Sequence, residues 1–377
     1  MANMLDYLNW RGDLTFEQAA FNEVDSLIFC WLSYVALDGI VPADCSEESS
    51  LTIKEVADLF FKTHNLEQIM NSKVSFTKTS VMLLKEMAET KRFAGVRLTG
   101  FVNRIDYTKE TQFCAMTALL AKNLNYVVYR GTDDTLIGWK EDFNMSFLPM
   151  IPAQQMALSY LENVTARLRG SFYVGGHSKG GNLSIYAGVR ASERVRRKIL
   201  QIYNHDGPGF RDLRDLGDAY QKMQERIRTF VPESAVVGML LERSGEYVVV
   251  KSNNRGLYQH DAMSWEVLGA AFVTVKELSS GSVLVNEIVS NWLKEISPEQ
   301  RENFVDTLFK ILDKTKTKNL EDLNAEKGKL ANSVLKEVNG LDKQTKGMLT
   351  STLAALFKEG NSAIRSSIRN SIAEKKK

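Results

Sequence analysis

Cysteine, histidine and charge of one sign are all scarce in this chain. Its 377 residues include three cysteines and four histidines. Cys30, Cys45 and Cys114 are odd in number, and no two share metal-site spacing. That argues against a disulfide framework and a cysteine metal site, and it suits a reducing cytosol. Lys and Arg number 48 against 46 Asp and Glu, a net charge of +2, too small to point to a nucleic-acid partner. No window approaches the roughly 18 apolar residues that span a bilayer. The opening "MANMLDYLNWRGDL" lacks the basic start and apolar run of a signal peptide, so a soluble, cytoplasmic protein is expected. No internal repeat or low-complexity linker stands out. What remains is ordinary: 44% apolar and 25% charged residues, enough for one large α/β domain with an appendage, or for two domains.

Along the chain, apolar side chains at 24, 27, 28, 31, 32 and 35 have helical spacing within 14–38. "SEESSLTIKEVADLFFKTHN" offers Ser49, Ser50 or Thr52 as a helix cap, and 79–92 reads as another helix. The texture then turns to strands, at 96–107, 111–120, 125–134, 171–178, 198–209, 226–234 and 246–252. Helical stretches at about 153–168, 182–196 and 211–225 separate the later ones. Strands alternating with helices predict an α/β fold with a mostly parallel sheet. The division expected is a domain over 1–280, with a helical insertion at 49–92, and an all-helical extension over 281–377. In that extension Val285, Ile288, Val289, Trp292, Leu293 and Ile296 share one face. Phe304, Val305, Leu308, Ile311 and Leu312 share another. Further stripes follow at 334–341 and 349–357, with Gly340 and Gly360 as helix ends.

The chemistry is carried by "YVGGHSKGGNLSIYA", residues 173–187. A serine hydroxyl is a weak nucleophile unless a base, a group orienting that base, and donors for the oxyanion surround it. Gly176-His177-Ser178-Lys179-Gly180 fits G-x-S-x-G, which sets a serine on a strained strand-to-helix turn. The bare pattern is weak, but the strand-like run before it and the helix-like run after it supply the context. Where this elbow occurs, an acid and then a histidine follow the nucleophile. His64 and His177 precede Ser178, and His177 reads as structural. His260, after the last strand in "NNRGLYQHDAMSW", is the expected base. Two acids remain open. Glu233 follows the strand at 226–231. Asp206 follows the strand at 198–204, in "DGPG", where Asp also starts turns by bonding its own backbone. The oxyanion donors expected are the backbone N–H of Lys179 and the loop "YRGTDD", with Thr132 offering N–H and hydroxyl.

These residues resemble class 3 (fungal-type) lipases. "VVYRGT" is similar to their oxyanion strand and "GGHSKGG" to their nucleophile elbow. More closely, "LDYLNWRGDLTF", "FNEVDSLIF", "RGTDDTLIGWKEDFNMSF", "YNHDGPGF", "VPESAVVGMLLE" and "QHDAMSW" resemble a bacterial α/β-hydrolase family of unknown function related to those lipases. The resemblance runs over about 3–275. It implies an α/β-hydrolase fold, Ser178 as nucleophile, His260 as base, and Thr132 with Lys179 at the oxyanion hole. Where class 3 lipases carry their acid, this chain has Ser234, so Glu233 and Asp206 both stay open.

The function expected is cleavage of carboxylic esters, acyl lipids first among them, by a Ser–His–acid triad. The alternative is a non-catalytic lipid- or protein-binding module on the same fold. Neither a cofactor nor a metal is expected. The helical extension packs on the main domain or on a second copy of the chain, or it covers the site and touches a membrane surface. The segment 49–92 is a rival for such a lid.

Overall fold

Nine strands join in one sheet. In this computed structural model, which describes residues 1–71, 75–133, 135–313 and 346–347, they are β1 (Leu51–Thr52), β2 (Arg97–Asp106), β3 (Thr111–Ala121), β4 (Leu124–Tyr129), β5 (Ser171–His177), β6 (Ile199–His205), β7 (Ile227–Pro232), β8 (Tyr247–Val250) and, past the separate pair β9 (Val267–Leu268) and β10 (Ala271–Phe272), β11 (Thr274–Val275). Their spatial order is β1-β2-β3-β4-β5-β6-β7-β8-β11. Pairing is antiparallel from β1 to β4, parallel from β4 to β8, and antiparallel again between β11 and β8.

The sheet is therefore mixed, not mostly parallel. The reason is chain length. Residues 107–110 and 122–123 are all that separate β2 from β3 and β3 from β4. Connections that short make hairpins, because a parallel crossover needs a dozen residues or more. The parallel half has its crossovers: α7 (Pro152–Arg167) precedes β5, and α8 (Lys179–Arg190) with α9 (Glu193–Arg196) precedes β6.

Helices cover both faces. On one lie α1 (Met4–Arg11), α2 (Glu23–Leu32), α3 (Ile53–Thr63), the short α4 (Leu66–Asn71) and α5 (Ser75–Glu89). On the other lie α7 and α8. Strand β4 shows the division: Tyr126 and Val128 join the core under α2, while Val127 and Tyr129 join the core under α7 and α8. That is the period-two alternation of a strand buried on both sides. The helix predicted over 14–38 is shortened to α2, because Asn22 Oδ1 accepts from Val24 and Asp25 N–H and fixes the start. Of the caps offered at 49–52, Thr52 serves, in a reciprocal box with Glu55. The stretch 211–225 holds only the short α10 (Asp218–Met223), which Gly217 at φ 67° separates from a single turn at Leu213–Leu216.

Segment 49–92 is built into the first helical layer, burying Ile53, Val56, Phe60, Leu83, Leu84 and Met87. Arg92 secures that layer. Its guanidinium meets Asp25 at 2.6 and 2.8 Å, and neither side chain is exposed. Beyond the sheet, α11 (Ser280–Glu295) leads to α12 (Pro298–Asp313). Phe304, Val305, Leu308 and Leu312 of the predicted α12 stripe are all buried. They pack against Leu136 and Phe147 beside α6 (Leu136–Asn144). On α11 the agreement is weaker, since Val285 is exposed. The stripes at 334–341 and 349–357, with Gly340 and Gly360, lie outside the described residues.

Candidate active site

The carboxyl ends of the parallel strands assemble the site. β5 ends at His177, and Ser178 turns the chain into α8 with φ 57° and ψ −131°. A non-glycine residue there stores about 1–3 kcal/mol of strain. Neighbours hold it: Ser178 N–H donates to the His205 carbonyl at 2.9 Å, and Gly181 N–H donates to the Ser178 carbonyl at 2.8 Å. The flanking glycines are sterically required. A Cβ on Gly176 would collide with the backbone of Gly180, and one on Gly180 would collide with the Tyr129 carbonyl.

His260 sits at the end of a 3-10 turn after β8. Its Nε2 lies 3.0 Å from Ser178 Oγ and its Nδ1 lies 2.6 Å from Asp206 Oδ2. A carboxylate accepting at Nδ1 puts the proton on that nitrogen and leaves Nε2 free to accept from the serine hydroxyl. Asp206 is fully buried, and Gly238 N–H donates to its other oxygen at 3.1 Å. Of the two acids left open by the sequence, Asp206 meets the imidazole and Glu233 does not. The turn carrying Glu233 serves the base segment through its backbone, with Ser234 N–H donating to Gln259 Oε1 at 2.6 Å. Asp261, next to the base, caps Met263 N–H at 3.0 Å.

His177 is buried beside the base, with ring centroids 4.7 Å apart. Its Nε2 lies 2.9 Å from the His260 carbonyl, so that nitrogen donates, and Nδ1 accepts from the Tyr34 hydroxyl at 3.3 Å. Burial holds its pKa well below the usual imidazole range, which keeps it neutral. Both ring nitrogens of His177 are thus engaged, and its contact with the His260 backbone was not legible in the sequence. His205, the register neighbour of His177 on β6, is enclosed under α2, bonded to Ser26 at 2.9 Å and pushed down to about 3 by burial. His64 stacks on Phe60.

Both expected oxyanion donors flank the elbow. Lys179 is the first residue of α8, where backbone N–H groups have no intrahelical acceptor. Thr132 follows Gly131, which presses on the elbow so closely that a Cβ there would stand 3.0 Å from Ser178 Cβ. The Thr132 hydroxyl donates to Asp142 Oδ2 at 2.6 Å. Desolvation pushes the Asp142 carboxyl up to about 6, against the lowering pull of Lys179 and Thr132. Among the described residues no cluster of His, Cys, Asp or Glu could hold a metal, and no helix is long and apolar enough to cross a membrane.

With this geometry in view, the chain is similar to several solved lipases. The native propeptide complex of Rhizomucor miehei lipase is 16% identical with a TM-score of 0.32, over 41% of this chain and 57% of that one. M37 lipase is 16% identical with a TM-score of 0.33, over 57% of this chain and 67% of that one. A fungal lipase–inhibitor complex is 14% identical with a TM-score of 0.32, over 46% of this chain and 70% of that one. The chain thus spans less than two thirds of the Rhizomucor chain, and similarity of this strength leaves the argument to the residues themselves. No curated protein matches the sequence. The sequence profile of one family does, from residue 87 to residue 310, a span holding Thr132, Ser178, Asp206 and His260. The chain belongs to the Mbeg1-like family.

Proposed function

We propose that this protein is a serine hydrolase of the α/β-hydrolase class that cleaves carboxylic esters, acyl lipids above all, through an acyl-enzyme. One observation carries the reading: Asp206, His260 and Ser178 are linked in sequence by contacts of 2.6 and 3.0 Å, with the serine on a strained elbow. Ser178 Oγ attacks the carbonyl carbon while His260 Nε2 takes its proton. Asp206 holds the imidazole and balances the imidazolium. The carbonyl oxygen, now anionic, is received by the backbone N–H groups of Lys179 and Thr132, the Thr132 hydroxyl proton being committed to Asp142. Each such donor is worth about 10²–10³ in rate. His260 returns the proton to the departing alcohol, and a water then releases the acid by the same steps. His260 is 29% exposed while Ser178 is 7% exposed, so the base opens to a substrate above a sheltered nucleophile.

An acyl substrate and contact with a lipid surface are supported by exposed apolar side chains on the His260 turn and on α11. Leu257 and Tyr258 on that turn are exposed, as are Val283 and Leu284 on α11. The start of α11 is tied to the 233–235 turn by Ser279 N–H and Ser282 Oγ. All three cysteines are free and buried, which suits a cytoplasmic setting.

A fluorophosphonate probe should label Ser178, and Ser178→Ala should lose both labelling and hydrolysis of a short p-nitrophenyl ester while remaining folded. Undiminished hydrolysis by the alanine variant, or a wild type that neither labels nor hydrolyses, would sink this reading.

A further inference from the structure

The residue after an elbow nucleophile needs to contribute only its backbone N–H, so its side chain is free to vary. Here that side chain is a lysine, and it is driven inward. Lys179 is 1% exposed. Its ammonium donates to the Gln112 carbonyl at 2.9 Å, to Gln112 Oε1 at 3.0 Å and to Glu141 Oε2 at 2.8 Å. All three of its protons are used, and Asp142 Oδ1 lies 3.7 Å away.

Those partners belong to the elements that carry Thr132. Gln112 is the second residue of β3, the strand beside β4, and its amide donates to Asp133 Oδ2 at 3.3 Å. Glu141 and Asp142 lie on α6, which follows the Thr132 loop, and Asp142 receives the Thr132 hydroxyl. Glu141 is itself fixed at both oxygens, by Gln112 N–H at 3.0 Å and Ala153 N–H at 3.1 Å. One residue therefore spans the proposed oxyanion hole: its N–H is one donor, and its ammonium grips the frame of the other.

Stability does not account for a lysine in this place. Desolvating two charges costs several kcal/mol per ion, and well-packed apolar residues usually serve a core as well or better. What a clamped ion pair supplies and a methionine would not is a fixed spacing between two elements that share no strand. We infer that Lys179 is a positioning residue whose side chain, locked by Glu141 and Gln112, sets the separation of the Lys179 N–H from Thr132. The inference rests on the hydrolase reading of Ser178.

The test compares Lys179→Met with the charge-free pair Lys179→Met/Glu141→Leu, reading kcat, KM and thermal stability on a short soluble ester. The single variant strands a buried carboxylate and should be destabilised. The double variant removes the stranded charge and should recover part of that stability, the Gln112 and Ala153 N–H groups having lost their acceptor, yet stay about 10²-fold low in kcat, with KM within about threefold, because the loss falls on the transition state. Thr132→Ala added to the double variant should cost little more, since residues acting as one unit do not multiply. Wild-type kcat in the double variant, or multiplicative losses, would overturn the clamp. Should the methionine variants not fold, Glu141→Gln keeps the side-chain shape. It should lower kcat about tenfold at steady KM, and an unchanged kcat would overturn the inference. Ser178→Ala separates the two readings. If it leaves hydrolysis intact, the hydrolase reading falls and the clamp with it. If it abolishes hydrolysis while the double variant runs at full rate, only the clamp falls.

Discussion

Asp206 reaches the His260 ring from a left-handed backbone: φ is 52°, and Oδ2 lies 2.6 Å from Nδ1. Asp adopts this region more readily than most residues, and two contacts hold it there. Its N–H donates to the Phe230 carbonyl at 2.8 Å, and its second oxygen accepts from Gly238. The carboxylate is thereby aimed before substrate arrives.

Asp206→Asn should therefore cost on the order of 10⁴-fold in kcat, the loss measured when the equivalent acid of a serine protease triad is made an amide. Glu233→Gln should retain near-normal rates. Steady-state kinetics on both variants decide the matter, and the reverse ranking would remove Asp206 from the triad.

His177→Phe keeps a ring against Trp31 and His260 but loses the hydrogen bond to the His260 carbonyl. We expect about 1–3 kcal/mol of destabilisation from the stranded carbonyl, measured by urea unfolding. A drop in kcat of roughly tenfold should accompany it as the base segment loosens.

Asp142 should shape the acid side of the pH profile. Folding raises its pKa from 3.8 to about 6, so the ionised form that accepts from Thr132 is lost as pH falls through about 6. Wild-type kcat/KM should therefore fall as pH drops through about 6, and Asp142→Asn, which cannot take up that proton, should flatten this step. For stability the sign is opposite. The folded state binds the extra proton between 3.8 and 6, so this group's contribution is full below 3.8 and is lost as pH rises through 6. Relative to the wild type, Asp142→Asn should look more stable at pH 7.5 than at pH 5.

Phe304→Ala should destabilise by about 3–5 kcal/mol, the cost of emptying a buried aromatic site. It should also reach the chemistry, because α12 packs on α6 and α6 carries Glu141 and Asp142. Activity and the tertiary signal of this region should melt together. Full activity after loss of the α12 contact would show that α6 is held without it.

The pairing of Ser178 with His260 was legible for simple reasons. G-x-S-x-G between a strand and a helix has few other uses, and His205 and His260 are the histidines that follow Ser178. The choice of acid was not legible. In "NHDGPG" the turn could have been capped by Asp206, but Asn204 does that work, with Oδ1 accepting from Gly207 N–H at 2.9 Å. The aspartate is thus left for the imidazole, and that swap depends on φ at 206. β-rich runs show strand identity and not direction, so the antiparallel half of the sheet is legible only in the short gaps at 107–110 and 122–123. Lys179 and Glu141 lie 38 residues apart, and no local pattern announces such a pair.

Ser178 and His260 are 82 residues apart in the chain, and the strands between them must align before the two can touch. A polypeptide grown or refolded only as far as β7 holds Ser178 and Asp206 but lacks His260, so the serine has no base beside it. On the proposed reading, reactivity is gained only once this long-range strand pairing, slow to complete, has closed, and labelling of Ser178 would serve as a clock for the closing of the sheet.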